Sequence, residues 1–379
     1  MSNAKINKAM LTWARERSGY ALPEFARKLN VTEQKLSEWE AGEREITFVQ
    51  AMAFADKAHV PFGFLFLSQP PIENLPIPDL RTVDSAELKR PSAELIDLLK
   101  NMLECQDWYR DYARNQLLQP INVVGSFRIE QGVAAIVTDM RNKLNIPHHP
   151  KRGTWTDYYR DLVQRIEALG ILVMRQSSLG HHSRPFSVDE FRGFAMCDEF
   201  APIIFVNHAD APGARLFTLI HELCHIWIGQ TGLSDGDANS HRTEERFCNA
   251  VAAELLVPTA EFQTLWRGDF DSWQQNLPDL EAHFHVSPWA LARKALTLAL
   301  ISQGEYGAFI KAQIDAFKER EASGSGPSYF KTKKAQISQL FSKAVVSEAL
   351  NGKLLLRDAG WMLGMKPTSV TKFAQELGF

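Results

Sequence analysis

Cysteine is scarce: the 379 residues hold four, Cys105, Cys197, Cys224 and Cys248. So few thiols in a chain of this length exclude a disulfide scaffold and suit reduced thiols in a cytosol. Long apolar runs are missing too. None reaches the ~18 residues that a membrane-spanning helix needs, and the polar start Met1–Met10 has no signal-peptide core, so a cytoplasmic protein with no membrane partner is expected. Net charge is small, −3, which gives no global attraction to nucleic acid. With 22 glycines and 18 prolines, the chain is neither collagen-like nor of low complexity. What remains is an ordinary globular composition, 45% hydrophobic and 23% charged, long enough for two or three domains.

Texture divides the chain into four segments. Residues 1–70 read as compact and helical, with short helices over Leu11–Ser18, Pro23–Leu29 and Thr32–Glu40. Residues 71–150 read as a Pro-rich linker, centred on the four prolines of QPPIENLPIPDL, followed by a helical connector around Leu95, Leu98, Leu99 and Met102. Residues 151–302 alternate short β-rich runs (Gly170–Met174, Phe191–Met196, Ile203–Val206) with helical patterns over 212–228, 241–256 and 288–302. Residues 303–379 comprise a flexible joint, EASGSGPS at Glu321–Ser328, and a helical C-terminal module.

The sharpest motif is His221-Glu222-Leu223-Cys224-His225, an HExxH sequence. At 100° per residue, two histidines four apart stand on one helical face, one turn from each other, so both imidazoles reach one point. Glu222 lies on a neighbouring face, near enough to touch a metal-bound water without ligating the metal. Imidazole pairs suit Zn²⁺, which lowers the pKa of its water toward ~7 so that a carboxylate can take the proton. A chain of this length shows HExxH by composition alone about once in fifty; a buried helix carrying two structural histidines is the alternative. The apolar lead-in Leu216–Ile220 and the β-rich stretch before it favour the metal. A catalytic zinc normally has three protein ligands, and the next helical pattern, TEERFCNAVAAELLV, offers Glu244, Glu245 and Glu254. Acidic residues in a first turn also complement the helix dipole, and spacing alone does not choose between Glu244 and Glu245.

"RLFTLIHELCH" followed by "EERFCNAVAAELLVP" resembles the ImmA/IrrE family of zinc metallopeptidases, and the likeness extends over about 190–296. The resemblance implies a zincin-like α+β core, Zn²⁺ held by His221, His225 and Glu245, and Glu222 as the proton-transferring catalytic residue. The reaction implied is cleavage of a protein, often a repressor. Three positions depart from the family pattern: Cys224 inside the HExxH, Cys248 and Val251. A thiolate at Cys224 is a possible competitor for the metal, against an inert buried thiol. His208 and His241 are the candidates for stabilising an oxyanion, against structural or surface roles.

Residues 11–67 resemble an XRE-type helix–turn–helix domain. Phe25, Ala26 and Leu29 pack one helix, Asn30-Val31 turns the chain, Thr32 caps the next helix, and Leu36 and Trp39 face inward. The resemblance implies DNA binding, with Arg27, Gln34, Lys35 and Ser37 at the nucleic acid and Arg15, Arg17 and Lys28 as further phosphate contacts. A dimer is expected on a palindromic site. Nine basic against eight acidic residues in 1–60 weaken the phosphate-neutralising contribution, and protein docking is the other use of the fold.

The same grammar recurs at Glu281–Leu291 and at Gly360–Val370. The second copy lies in a basic tail: residues 331–379 hold eight Lys/Arg against three Asp/Glu. Leu340, Phe341, Val345, Val346, Leu350, Leu354, Leu363 and Val370 imply a packed helical module there. This tail resembles that of a longer, antitoxin-like subgroup placed beside small toxin genes. The expected fold is therefore mostly α, with an α+β zincin-like metallopeptidase core and an all-α helix–turn–helix domain at the N-terminus. The expected function is a zinc-dependent endopeptidase acting on a repressor or a toxin-like partner encoded nearby. The rival is a DNA-binding regulator or antitoxin whose zincin domain mainly binds a partner protein.

Overall fold

The computed structural model describes residues 5–78, 91–147, 149, 153–180, 184–234, 242–321 and 329–379. By contact the chain forms two compact units: residues 1–76 with 89–99, and residues 77–88 with 100–379. The helical connector contributes to both units.

In the first unit, helices α1 (Lys8–Arg17), α2 (Leu22–Leu29), α3 (Glu33–Ala41) and α4 (Phe48–Lys57) surround a small core. Phe25, Ala26, Leu36, Trp39, Phe54 and Leu65 are among its buried members. The turn forms as the residues dictate: Asn30 takes the left-handed conformation that ends α2, a conformation that short polar side chains tolerate. The Thr32 hydroxyl then accepts from Lys35 N–H and caps α3.

In the second unit a four-stranded sheet runs in the order β1-β3-β2-β4, with β1 Leu172–Gln176, β2 Gly193–Met196, β3 Ile203–Asn207 and β4 Gly232–Ser234. β1 and β3 are parallel; β2 is antiparallel to both β3 and β4. Every residue of β3 is buried, as expected of a strand covered on both faces. The helices of this unit are α5 (Ala93–Asn115, its first residues in the other unit), α6 (Val133–Leu144), α7 (Trp155–Ala168), α8 (Pro212–Ile228), α9 (Thr243–Leu256), α10 (Thr259–Leu265), α11 (Leu277–Phe284), α12 (Pro288–Thr297) and α13 (Gln303–Glu321). α8 packs on β2 and β3, α9 on α8, and α6 on α9. The main core gathers from these helices and the sheet, with Trp227, Leu223, Val251, Leu255 and Phe284 fully buried. The result is a mostly helical chain around a small mixed sheet, consistent with the α+β core expected.

The C-terminal residues form α14 (Tyr329–Gln336), α15 (Gln339–Leu350), α16 (Leu356–Met362) and α17 (Val370–Leu377). The packed module is present, and it belongs to the second unit. α14 and α15 lie against the edge strand β1. Gln339 N–H donates to the Glu167 carboxylate at 3.1 Å, and Phe341 meets Trp108 edge-on at 5.7 Å. Phe341, Val345, Val346, Leu363 and Val370 are buried, whereas Leu350 is exposed. The joint at 322–328 lies outside the described residues.

Candidate metal centre

α8 begins with Pro at its first turn and ends at Gly229, left-handed at φ 72°, so proline and glycine fix its two ends. Between them the HExxH segment lies wholly inside: His221, Glu222 and His225 are at most 1% exposed. α9 crosses this helix and delivers Glu245, also 1% exposed, while Glu244 is only half-buried. The side of α9 that meets α8 therefore carries Glu245, not Glu244, to the two histidines.

The donor atoms converge. His221 Nε2 and His225 Nε2 are 3.1 Å apart; Glu245 Oε2 is 3.2 Å from the first and Oε1 3.1 Å from the second. A tetrahedral zinc with ligands at ~2.0–2.1 Å needs donor–donor edges of about 3.3 Å, so the three side chains stand at a spacing that fits the ion. Two nitrogens and a carboxylate are also the donor chemistry of a borderline divalent metal. His221 Nδ1 lies 3.0 Å from Asn249 Oδ1, an outer contact that turns Nε2 toward the cluster.

Electrostatics separate the groups. Burial works against protonation of both imidazoles. For His221 the hydrogen bond to Glu245 and the nearby carboxylates outweigh it, so its pKa is raised; for His225 burial prevails and the pKa is lowered. Glu245 is also desolvated, but its bonds to the two histidines hold it at about 2. Glu222 has no such partner. Burial, with Glu245 adding repulsion against the pull of His221, pushes it up to about 8. Its Oε1 has no hydrogen-bond partner among the described residues, and Ser234 Oγ stands 3.5 Å from its Oε2. A buried carboxyl with an unused oxygen is costly unless something is meant to meet it. Gly193 on β2 makes room for it: a Cβ there would lie 2.8 Å from Glu222 Oε1 and 2.9 Å from the Phe205 carbonyl.

A cavity of about 140 Å³ opens on His221 and Glu222, walled by Phe217, Trp289, Arg192, Arg293 and Tyr306 among others. Ser287 sets this wall. It accepts from Ala290 N–H as the cap of α12 and donates 3.0 Å to the Gly213 carbonyl at the start of α8. Arg293 stacks over the Tyr306 ring at 5.8 Å, while Arg192 is paired with Asp210 at 2.7 Å. Sequence reading missed Arg293 and Tyr306, because nothing local marks a residue that reaches a cleft from 70 or 80 positions downstream. Tyr306 also lies beyond residue 302, so the cleft runs past the boundary expected for that domain.

Other expectations meet a different outcome. His208 does not line the cavity; its Nε2 is 3.0 Å from the Tyr159 hydroxyl, and burial beside Arg215 and Arg175 drives its pKa down to about 2. It is a half-buried histidine paired with Tyr159. His241 lies outside the described residues. Cys224 sits in the hydrophobic core beside Cys248, whose thiol burial and Cys224 itself push well above the ordinary value; neither sulfur joins the donor cluster. In the first unit, Gln34, Ser37 and Arg27 are exposed and Lys35 is half-buried over the Trp39 ring. Arg15 is held by both oxygens of Glu40, and Arg17 by Glu73 and Asp97. Those two arginines, expected as phosphate contacts, are spent on internal ion pairs.

No curated protein matches the chain. Residues 337–376 match a domain of unknown function (DUF8813). Residues 166–296, which contain the sheet, α8 and α9, match the model of the IrrE N-terminal-like domain of peptidase family M78, and this part of the second unit is similar to that domain.

Proposed function

We propose that the chain is a zinc-dependent endopeptidase, with His221, His225 and Glu245 holding the metal and Glu222 moving the proton. The observation that carries this is the buried meeting of three residues' donor atoms at 3.1–3.2 Å beside a carboxyl whose Oε1 has no hydrogen-bond partner among the described residues. Zinc in such a donor set lowers the pKa of its water and polarises a carbonyl. Glu222, beside the cluster, would take a proton from the attacking water and pass it to the departing amine. Trp289 and Phe217 give the cleft apolar walls that exclude bulk water. Arg293 and Tyr306 are polar groups of the wall that can bind a peptide carbonyl, the role for which His208 and His241 were the candidates.

The proposed substrate is a cytoplasmic regulatory protein, a repressor or a toxin-like partner encoded nearby. Incubating the protein with the products of adjacent genes, with zinc and with a chelator, tests this: zinc-dependent fragments with a defined cleavage site support it. Intact partners that co-purify with the chain instead favour the second reading, a DNA-binding regulator or antitoxin whose M78-like domain serves as a docking surface. One observation favours a DNA-binding role alongside either reading. The α2–α3 turn presents Arg27, Gln34 and Ser37 to solvent, with Lys35 beside them, as a reader of a DNA groove requires; a homodimer on a palindrome is the proposed form.

A further inference from the structure

A second cluster of metal-binding side chains lies in the M78-like unit, away from the cleft. His149 follows α6, Glu261 is on α10 and His283 is on α11. Glu261 Oε1 is 3.0 Å from His149 Nε2 and 2.7 Å from His283 Nε2, and one donor atom from each residue lies within 4.8 Å of the others. None of the three lines the cavity beside Glu222.

We propose that these residues form a second divalent-metal site of the zinc class, independent of the HExxH centre and structural in role. The two imidazoles are tilted at 41° with centroids 4.2 Å apart, and the Nε2 of each lies against the same oxygen of Glu261. Imidazole nitrogens with a carboxylate oxygen bind borderline divalent ions such as Zn²⁺ well, and half-buried side chains leave a face open for entry and for a water ligand.

Buried groups pack against the cluster. The His283 ring stands edge-on to the buried Phe284 at 4.8 Å, and the His149 ring meets the same phenyl at 5.9 Å. Arg141, itself buried, donates to the carbonyls of Pro147 and Leu255, which ties the segment before His149 to the end of α9. Glu254 accepts from Thr259 N–H at 3.0 Å and fixes the corner into α10. An ion here would join residues 149 and 261 across a long loop, and, because it binds only the folded chain, would raise stability by mass action.

The test uses Zn²⁺ on the full chain, stripped by chelation and reloaded. In the His221→Ala/His225→Ala variant, which lacks the other centre, about one equivalent of zinc should still bind and raise the thermal midpoint. Adding Glu261→Gln and His283→Gln should abolish both effects, while His283→Cys, which keeps a ligand, should retain them. If the first variant does not fold, the parent carrying His283→Gln should hold about one zinc fewer than the parent. Unchanged zinc content on losing Glu261 and His283, or no zinc bound by a folded His221→Ala/His225→Ala chain, overturns the proposal. Failure of the HExxH reading looks different: zinc content would then be indifferent to His221 and His225 while still depending on His283.

Discussion

The α8–α9 crossing and the α2–α3 turn both display polar residues at helical spacing, yet they differ in where those residues end. At the crossing, four ionisable side chains are taken out of water and aimed at one another. At the turn, Arg27, Gln34 and Ser37 point outward, and on the neighbouring α1 Arg15 is neutralised by Glu40 and Arg17 by Glu73 and Asp97. Burying a charge costs several kcal/mol unless it is paired, so a buried cluster that leaves a carboxylate oxygen unused marks chemistry. Exposed polar residues cost almost nothing, and the fold tolerates them whether or not they read DNA. The same two helices can thus be built for recognition or only for packing, whereas the crossing has little structural reason to exist as it does.

Losing a ligand is the change expected to matter most. Glu245→Ala should bind about one zinc fewer than the parent and lose peptide hydrolysis, while Glu244→Ala leaves both near the parental level; metal analysis of the two variants side by side decides the third ligand. Next in size is deletion of 329–379. Phe341, Val345 and Val346 are buried, and at ~1.5–3 kcal/mol for each large apolar side chain their removal should cost about 5 kcal/mol or more. Thermal melting should show it, and a truncated chain as stable as the parent would mean that the module merely rests on β1. Smaller is the loss of Glu254, which holds the buried Lys294 ammonium at 2.8 Å. Glu254→Gln should cost about 3 kcal/mol at neutral pH. Although partly desolvated, Glu254 has its pKa lowered by Lys294 and Thr259. Its contribution is therefore complete above the unfolded carboxylate value and fades as pH falls through the folded one. Parent and variant should converge in acid; a gap that widens there would reverse the sign. The smallest effects belong to the turn. Arg27→Ala should weaken DNA binding for all sequences and flatten its salt dependence, and Gln34→Ala should relax sequence preference by ~1–3 kcal/mol. Equal affinity of the parent for specific and scrambled DNA would leave α2–α3 as a docking or packing element.

How much of this was legible in the sequence follows from the range of the interactions. The HExxH pair is legible because one helical turn places both histidines; so are the Asn30 turn and the Thr32 cap, which depend on neighbours two or three residues away. β1, β2 and β3 were visible as apolar runs, but β4 is three residues long and pairs only because β2 is already in place. Glu244 and Glu245 share a first turn, and only the packing of α9 on α8 separates them. The partners of Arg15 and Arg17 lie 25 to 80 positions away, so counting charges could not show that these arginines are occupied. His208 looked available for the same reason, since its fate depends on Tyr159, 49 residues upstream.

The central claim is that Glu222 transfers the proton and does not hold the metal. Zinc content and peptide hydrolysis measured together on Glu222→Gln test it most directly. The account predicts a variant that binds zinc as the parent does and loses hydrolysis by about 10²–10⁴-fold. Parental hydrolysis by a zinc-loaded Glu222→Gln protein, or loss of the zinc itself, would contradict it.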